Sequence, residues 1–180
     1  VITAERGTQM KTDTLEWKRD QDLVQTEDSV LIEDESMTVQ GKGLEAHPTL
    51  KDATLKRDVT ADIKAESSDQ KNNRIQITSD GPMELDQLTQ TATFKENVEA
   101  YEMSTGRRLK ADRMDVRFDD RSKKIKEIFC EGNVEVHQGG NVTHSDTLLY
   151  KADEQRMILK GRPKLVIDPG DHETKDTLKF

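Results

Sequence analysis

Asn133-Val134-Glu135-Val136-His137-Gln138-Gly139-Gly140-Asn141-Val142-Thr143-His144-Ser145-Asp146-Thr147-Leu148-Leu149-Tyr150 contains two signals that together decide the fold. Val134 and Val136 alternate with polar residues, and so do Leu148 and Tyr150 after Asp146. Alternation at period two with β-branched and aromatic residues marks a strand with one buried face. Gln138-Gly139-Gly140-Asn141 between the two runs is turn chemistry, because glycine and asparagine tolerate backbone conformations closed to other residues.

Both signals recur along the chain. An acid followed two and four residues later by apolar side chains appears at Asp13-Leu15-Trp17, Asp112-Met114-Val116, Asp146-Leu148-Tyr150 and Asp176-Leu178-Phe180. Degenerate copies stand at Asp80, shifted by one after Gly81-Pro82, and at Ala46-His47, where histidine replaces the acid. Between them lie Ser29-Val30, Asp58-Val59, Asn97-Val98 and Asn133-Val134, each opening another alternating run. Turn-forming stretches join the runs at residues 18–22, 104–106, 118–122 and 153–155. The expected fold is therefore all-β, built of stacked antiparallel meanders, each needing its neighbours to cover its apolar face. Glu66 to Arg74 is polar throughout, and the organisation expected from this is a first β segment at 1–65, a loop or linker at 66–74 and a second β segment at 75–180, continuous with the first.

Composition narrows the function. With 32% hydrophobic and 36% charged residues and a mean hydropathy of -0.88, the 180-residue chain supports only a modest core. Its longest apolar runs, such as Val30-Leu31-Ile32, are far short of the ~20 residues that span a bilayer. A net charge of -8 and a pI near 5.1 argue against nucleic acid as a partner. The single cysteine, Cys130, rules out an internal disulfide framework and reads as a buried, inert thiol.

No catalytic motif emerges. His47, His137, His144 and His172 are scattered without metal-ligand spacing or a nucleophile elbow, so no catalytic residue, metal or cofactor is expected. Asp13, Asp80, Asp112, Asp146 and Asp176 lie too far apart for a cation site and read as corner residues whose carboxylates accept backbone N–H bonds. By strand parity Leu15, Trp17, Val30, Ile32, Leu44, Val59, Ala61, Ile75, Ile77, Phe94, Val98, Met114, Val116, Phe118, Val134, Val136, Leu148, Tyr150, Leu165 and Ile167 point inward.

Two stretches carry a resemblance. Met10 through Trp17, continuing through Met37-Thr38-Val39-Gln40-Gly41-Lys42-Gly43-Leu44-Glu45-Ala46, resembles the C-terminal part of the LptC family. The second half, with Leu109-Lys110-Ala111-Asp112, Glu131-Gly132-Asn133-Val134, Ser145 through Tyr150 and Leu159-Lys160-Gly161-Arg162-Pro163, resembles the LptA or OstA family. These families export lipopolysaccharide, so the resemblance implies an open, twisted β-jellyroll in the periplasm, with the inward residues as a groove for lipid A acyl chains. It also implies tethering to the inner membrane by an anchor outside this sequence. Partners implied are lipopolysaccharide, other jellyroll components joined by strand-edge pairing, and head-to-tail copies of the chain. Arg107, Arg108, Lys110 and Arg113 are candidate contacts for lipid phosphates. The alternative is a structural or adhesive β-stack with a closed core and no lipid ligand.

Overall fold

The computed structural model describes residues 2–3, 8–64 and 74–167. Its strands are β1 (Ile2–Thr3), β2 (Gln9–Lys11), β3 (Glu16–Lys18), β4 (Leu23–Glu33), β5 (Met37–His47), β6 (Asp52–Lys64), β7 (Arg74–Ser79), β8 (Met83–Asp86), β9 (Thr91–Glu102), β10 (Arg107–Phe118), β11 (Ile125–Gln138), β12 (Asn141–Lys151), β13 (Arg156–Lys160) and β14 (Lys164–Val166). They form one antiparallel sheet in which chain neighbours are sheet neighbours, an up-and-down meander. Among the described residues the sheet stays open, since β1 pairs only with β2, and β13 and β14 pair only with β12.

Every long strand is interrupted near its middle. Between β4 and β5, β5 and β6, β9 and β10, β10 and β11, and β11 and β12 the interruption is a bulge that shifts the register, at Thr26/Ser29, Gln40/Lys42, Ala111/Arg113, Lys110/Arg113 and Glu131/Val134 respectively. Elsewhere the strand breaks in two. Thus β2 and β3 both pair with β4, β7 and β8 both lie between β6 and β9, and β13 and β14 both pair with β12. The interruptions line up across the sheet and bend it along one line, because a bulge kinks its strand and increases its twist. The two arms of each strand turn apolar side chains toward a shared interior, and the buried residues of both arms form one cluster. This is an open, twisted β-jellyroll.

The residues before the recurrent valines explain the bend. Asp58, Asn97 and Asn133 have φ of 53°, 50° and 46°, the left-handed region that Asn and Asp tolerate better than other side chains. Corner acids stand opposite them. Asn97 Nδ2 donates to Asp80 Oδ2 at 2.8 Å and Asn133 Nδ2 to Asp112 Oδ2 at 2.8 Å. The expected corner role holds for these two acids, but their side-chain partners are asparagine amides of the adjoining strand rather than backbone N–H groups. At Gly132, with φ 78°, the Asp112 carboxylate fills the space a Cβ would need, and Asp146 does the same at Gly161, with φ 83°. Glycine is required at both for conformation and for room.

Two expectations need correction. The corner of β5 is Gly41-Lys42-Gly43, so His47 is not a copy of the corner acid; it ends its strand with Nδ1 2.8 Å from Asp52 Oδ1. Arg74 already begins β7, one residue inside the stretch expected to be a linker. The rest of that stretch and the repeat at Asp176-Leu178-Phe180 lie outside the described residues.

Candidate functional site

The interior is built from rows of directly paired residues, which share a face in an antiparallel sheet. One row runs Trp17, Val24, Ala46, Ala53, Leu85, Ala92, Val116, Ile128, Tyr150, Met157. Beside it runs Thr26, Leu44, Leu55, Met83, Phe94, Met114, Cys130, Leu148, Leu159. On the other arm the matching row is Met10, Ile32, Val39, Ala61, Ile77, Ala100, Leu109, Val136, Thr143, Leu165. At about 4.8 Å per strand these rows extend on the order of 40 Å along the molecule. Only threonines interrupt their apolar character.

Burial grades across the rows. Ile77, Val98, Met114, Val116, Cys130 and Leu148 are fully covered, whereas Ile32, Ile75, Leu85, Phe118, Ile125, Tyr150, Met157 and Leu159 pack against that core while remaining partly exposed. The partly exposed residues form the lips of the fold, near the turns that end each arm. Burial pushes the Cys130 thiol from its ordinary 9.0 up to about 12, with the Asp115 carboxylate adding to the effect, so it is protonated and unreactive at neutral pH.

Most charged side chains of the strands occupy the opposite face, many in short pairs such as Lys95 with Glu84 at 2.6 Å, Arg117 with Glu127 at 3.2 Å and Lys11 with Glu33 at 2.7 Å. Such exposed pairs contribute little stability and mainly keep that face wetted. Glu135 holds two imidazoles, His137 Nε2 at 3.0 Å and His144 Nδ1 at 3.5 Å, and the His137 hydrogen bond, followed by the charges of His144, His137 and Lys110, draws its carboxyl below its usual range. Among the described residues no cluster of ligating side chains could hold a metal ion.

A comparison with family models matches residues 76–178 to "LptA/(LptD N-terminal domain) LPS transport protein". The chain belongs to that family. A second model, "Lipopolysaccharide-assembly, LptC-related", matches residues 2–64. Among solved structures, the chain is similar to LptH, the LptA-homologous periplasmic component of the lipopolysaccharide transport device of Pseudomonas aeruginosa. That similarity has 11% identity over 92% of this chain and 97% of that one, with a TM-score of 0.47. Comparison with curated proteins gives no match.

In this LptA/LptD-type chain, most residues expected to point inward lie in the interior. Val30, Leu44, Val59, Ala61, Ile77, Phe94, Val98, Met114, Val116, Val134, Val136 and Leu148 are buried, and Ile32, Ile75, Phe118 and Tyr150 are partly buried against them. Leu15 is half-buried in the gap between β2 and β3. Trp17, 58% exposed, and Leu165, 40% exposed, stand on the inner rows by register but are not covered, because each belongs to a strand half at an end of the sheet. Ile167, beyond β14, is also exposed. Trp17 is capped by Arg19, whose guanidinium carbon lies 4.5 Å from the ring centroid.

Of the four candidate phosphate contacts, three face away from the interior. Arg108 and Lys110 pair with Glu99 at 3.1 and 3.7 Å, and Arg113 binds Asp115 through two bonds of 3.0 and 3.1 Å. Arg107 alone shares the inner face, at the position that precedes Leu109 on that side of β10.

Parity missed several interior residues. Val39, Leu109 and Ala111 are buried, yet each lies across a bulge from the run that set the parity: Met114, Val116 and Phe118 are even, Leu109 and Ala111 odd. A bulge residue consumes a position without changing face, so alternation resumes out of phase. Leu55, Ile63, Met83, Ala92, Ala100 and Ile128 are buried as well, and their alternation with polar neighbours was the available signal. Sequence reasoning also missed an apolar row on the outer face, Phe129, Leu149 and Ile158, which lines a depression of about 170 Å³ with Thr147 and Lys160.

Proposed function

We propose that this chain is a periplasmic segment of the lipopolysaccharide export bridge whose inner rows shelter lipid A acyl chains between the two membranes. The observation that carries this is the long, largely apolar lining of an open sheet, bordered by partly exposed lips. Exposing a methylene to water costs about 0.8 kcal/mol, so a chain of a dozen carbons is disfavoured by ~10 kcal/mol. A lining that replaces water removes that barrier without any covalent chemistry. Because the middle of the rows is covered, lipid enters by parting the two arms from the lips inward.

The strand edges serve the second half of the role. At one end β1 and β3, at the other β13 and β14, present backbone groups for another module to pair with. Residues 1–65 act as the LptC-like part and 75–180 as the LptA-like part of one continuous sheet, a division supported by the family-model matches to residues 2–64 and 76–178 and a continuity supported by the direct pairing of β6 with β7.

Full burial of Met114, Val116, Cys130 and Leu148 favours a second reading, a closed structural β-stack. Photo-crosslinking residues placed singly at Val116, Phe118 and Val134, and at outward Arg117 and Glu135, distinguish them with labelled lipopolysaccharide. Adducts from the inner positions, Phe118 first, and none from Arg117 or Glu135 are expected. Equal labelling of both faces, or none, would leave the closed stack standing.

A further inference from the structure

On one arm the inner row nearest the lip changes character along its length. It begins with Met37, Ile63 and Ile75 and continues, by direct pairing, with Glu102 and Arg107. Both charged side chains are largely covered, 29% exposed for Arg107 and 23% for Glu102. Arg107 Nε is buried without a hydrogen-bond partner: Glu102 Oε2, its nearest carboxylate, stands 3.7 Å away and accepts instead from Thr105 Oγ1 at 2.6 Å. A buried N–H left unpaired is costly and uncommon in folded proteins. Tyr150, on the opposite arm, is partly buried against the same core, and burial holds the ionisation of its phenol above the ordinary range, with the charges of Arg107 and Glu102 acting on it in opposite senses. The guanidinium therefore sits on the inner face at the turn end of its arm, beside apolar rows and with a donor unused.

We infer, building on the proposed lipid-sheltering role, that Arg107 binds the phosphoryl head of the amphiphile whose chains lie on the inner rows. The planar guanidinium offers paired N–H donors matched to phosphoryl oxygens, which a point charge does not. A chain of net charge -8 repels anions at long range, so any preference for an anionic head must be local. Arg108, Lys110 and Arg113 are engaged on the other face and take no part.

Titration calorimetry of the whole chain tests this with dodecyl phosphate and dodecyl maltoside, both below their micelle concentrations, and with inorganic phosphate. Dodecyl phosphate should bind about tenfold more tightly than the maltoside, the size expected of one charge-assisted hydrogen bond. Arg107→Gln should erase that preference while leaving maltoside affinity unchanged, Arg107→Lys should keep part of it, and Arg108→Gln all of it. Inorganic phosphate should give no measurable heat. A preference that survives Arg107→Gln, or is lost equally in Arg108→Gln, overturns the assignment, as does tight binding of inorganic phosphate alone, which would mark a free-anion site. Were neither amphiphile to bind, the sheltering role itself would fall, and the assignment with it.

Discussion

At the residue scale, the corner positions do the most specific work. Gly132 and Gly161 are fixed by a left-handed backbone and by a neighbouring carboxylate, so Gly132→Ala should lower stability by about 1–3 kcal/mol in urea denaturation. Asn133→Ala removes the amide that Asp112 accepts and should cost roughly 1 kcal/mol. Cys130 offers a different readout. Its thiol should resist alkylation at pH 8 in the folded chain and react once the chain is unfolded. Because folding raises its ionisation from 9.0 to about 12, the folded state holds a proton that the unfolded state has released between those values. Stability linked to this group is therefore complete below pH 9 and is lost as pH rises toward 12, at up to about 1.4 kcal/mol per pH unit. Cys130→Ala should flatten that part of the stability profile relative to the parent chain; an unchanged slope would mean the thiol is not held in apolar surroundings. The corners were visible in the sequence as recurring Asp, Asn and Gly, but the partner of each was not, since a repeat shows position and not which strand lies alongside.

At the element scale, the bulges decide which residues face inward. Strand β10 shows this plainly: Leu109 and Ala111 precede its bulge, Met114 and Val116 follow it, and all four point the same way. Ala111→Asp buries an unpaired carboxylate and should destabilise by several kcal/mol, or prevent folding, while Lys110→Asp on the outer face should change stability by less than about 1 kcal/mol. Thermal midpoints of the two variants check the phase shift directly. Near-equal losses would place the register of this strand elsewhere. Met114→Ala, which empties a fully buried site, should cost about 2–5 kcal/mol. Period-two alternation was legible in each half-strand taken alone. Its phase across the corner was not, because one extra residue in a bulge leaves no mark on composition.

At the scale of the whole molecule, an open sheet with two unlike edges favours growth by addition. Leu165 and Ile167 are exposed at the β14 end of the sheet among the described residues, beside its pairing with β12. Replacing both by lysine should leave the fold intact while weakening self-association by tenfold or more in sedimentation at high concentration, since charged side chains discourage edge-to-edge pairing. The sequence by itself determined the strand content, the meander and most of the apolar lining, because these depend on period-two patterning and turn chemistry, which are local, while the family was legible as a resemblance of short motifs. Only the tertiary structure decided which of the basic residues at 107–113 faces inward and which parts of the lining are sealed. Those properties depend on where the sheet bends and on which arms meet after bending, a relation between residues distant in the chain that no local pattern encodes.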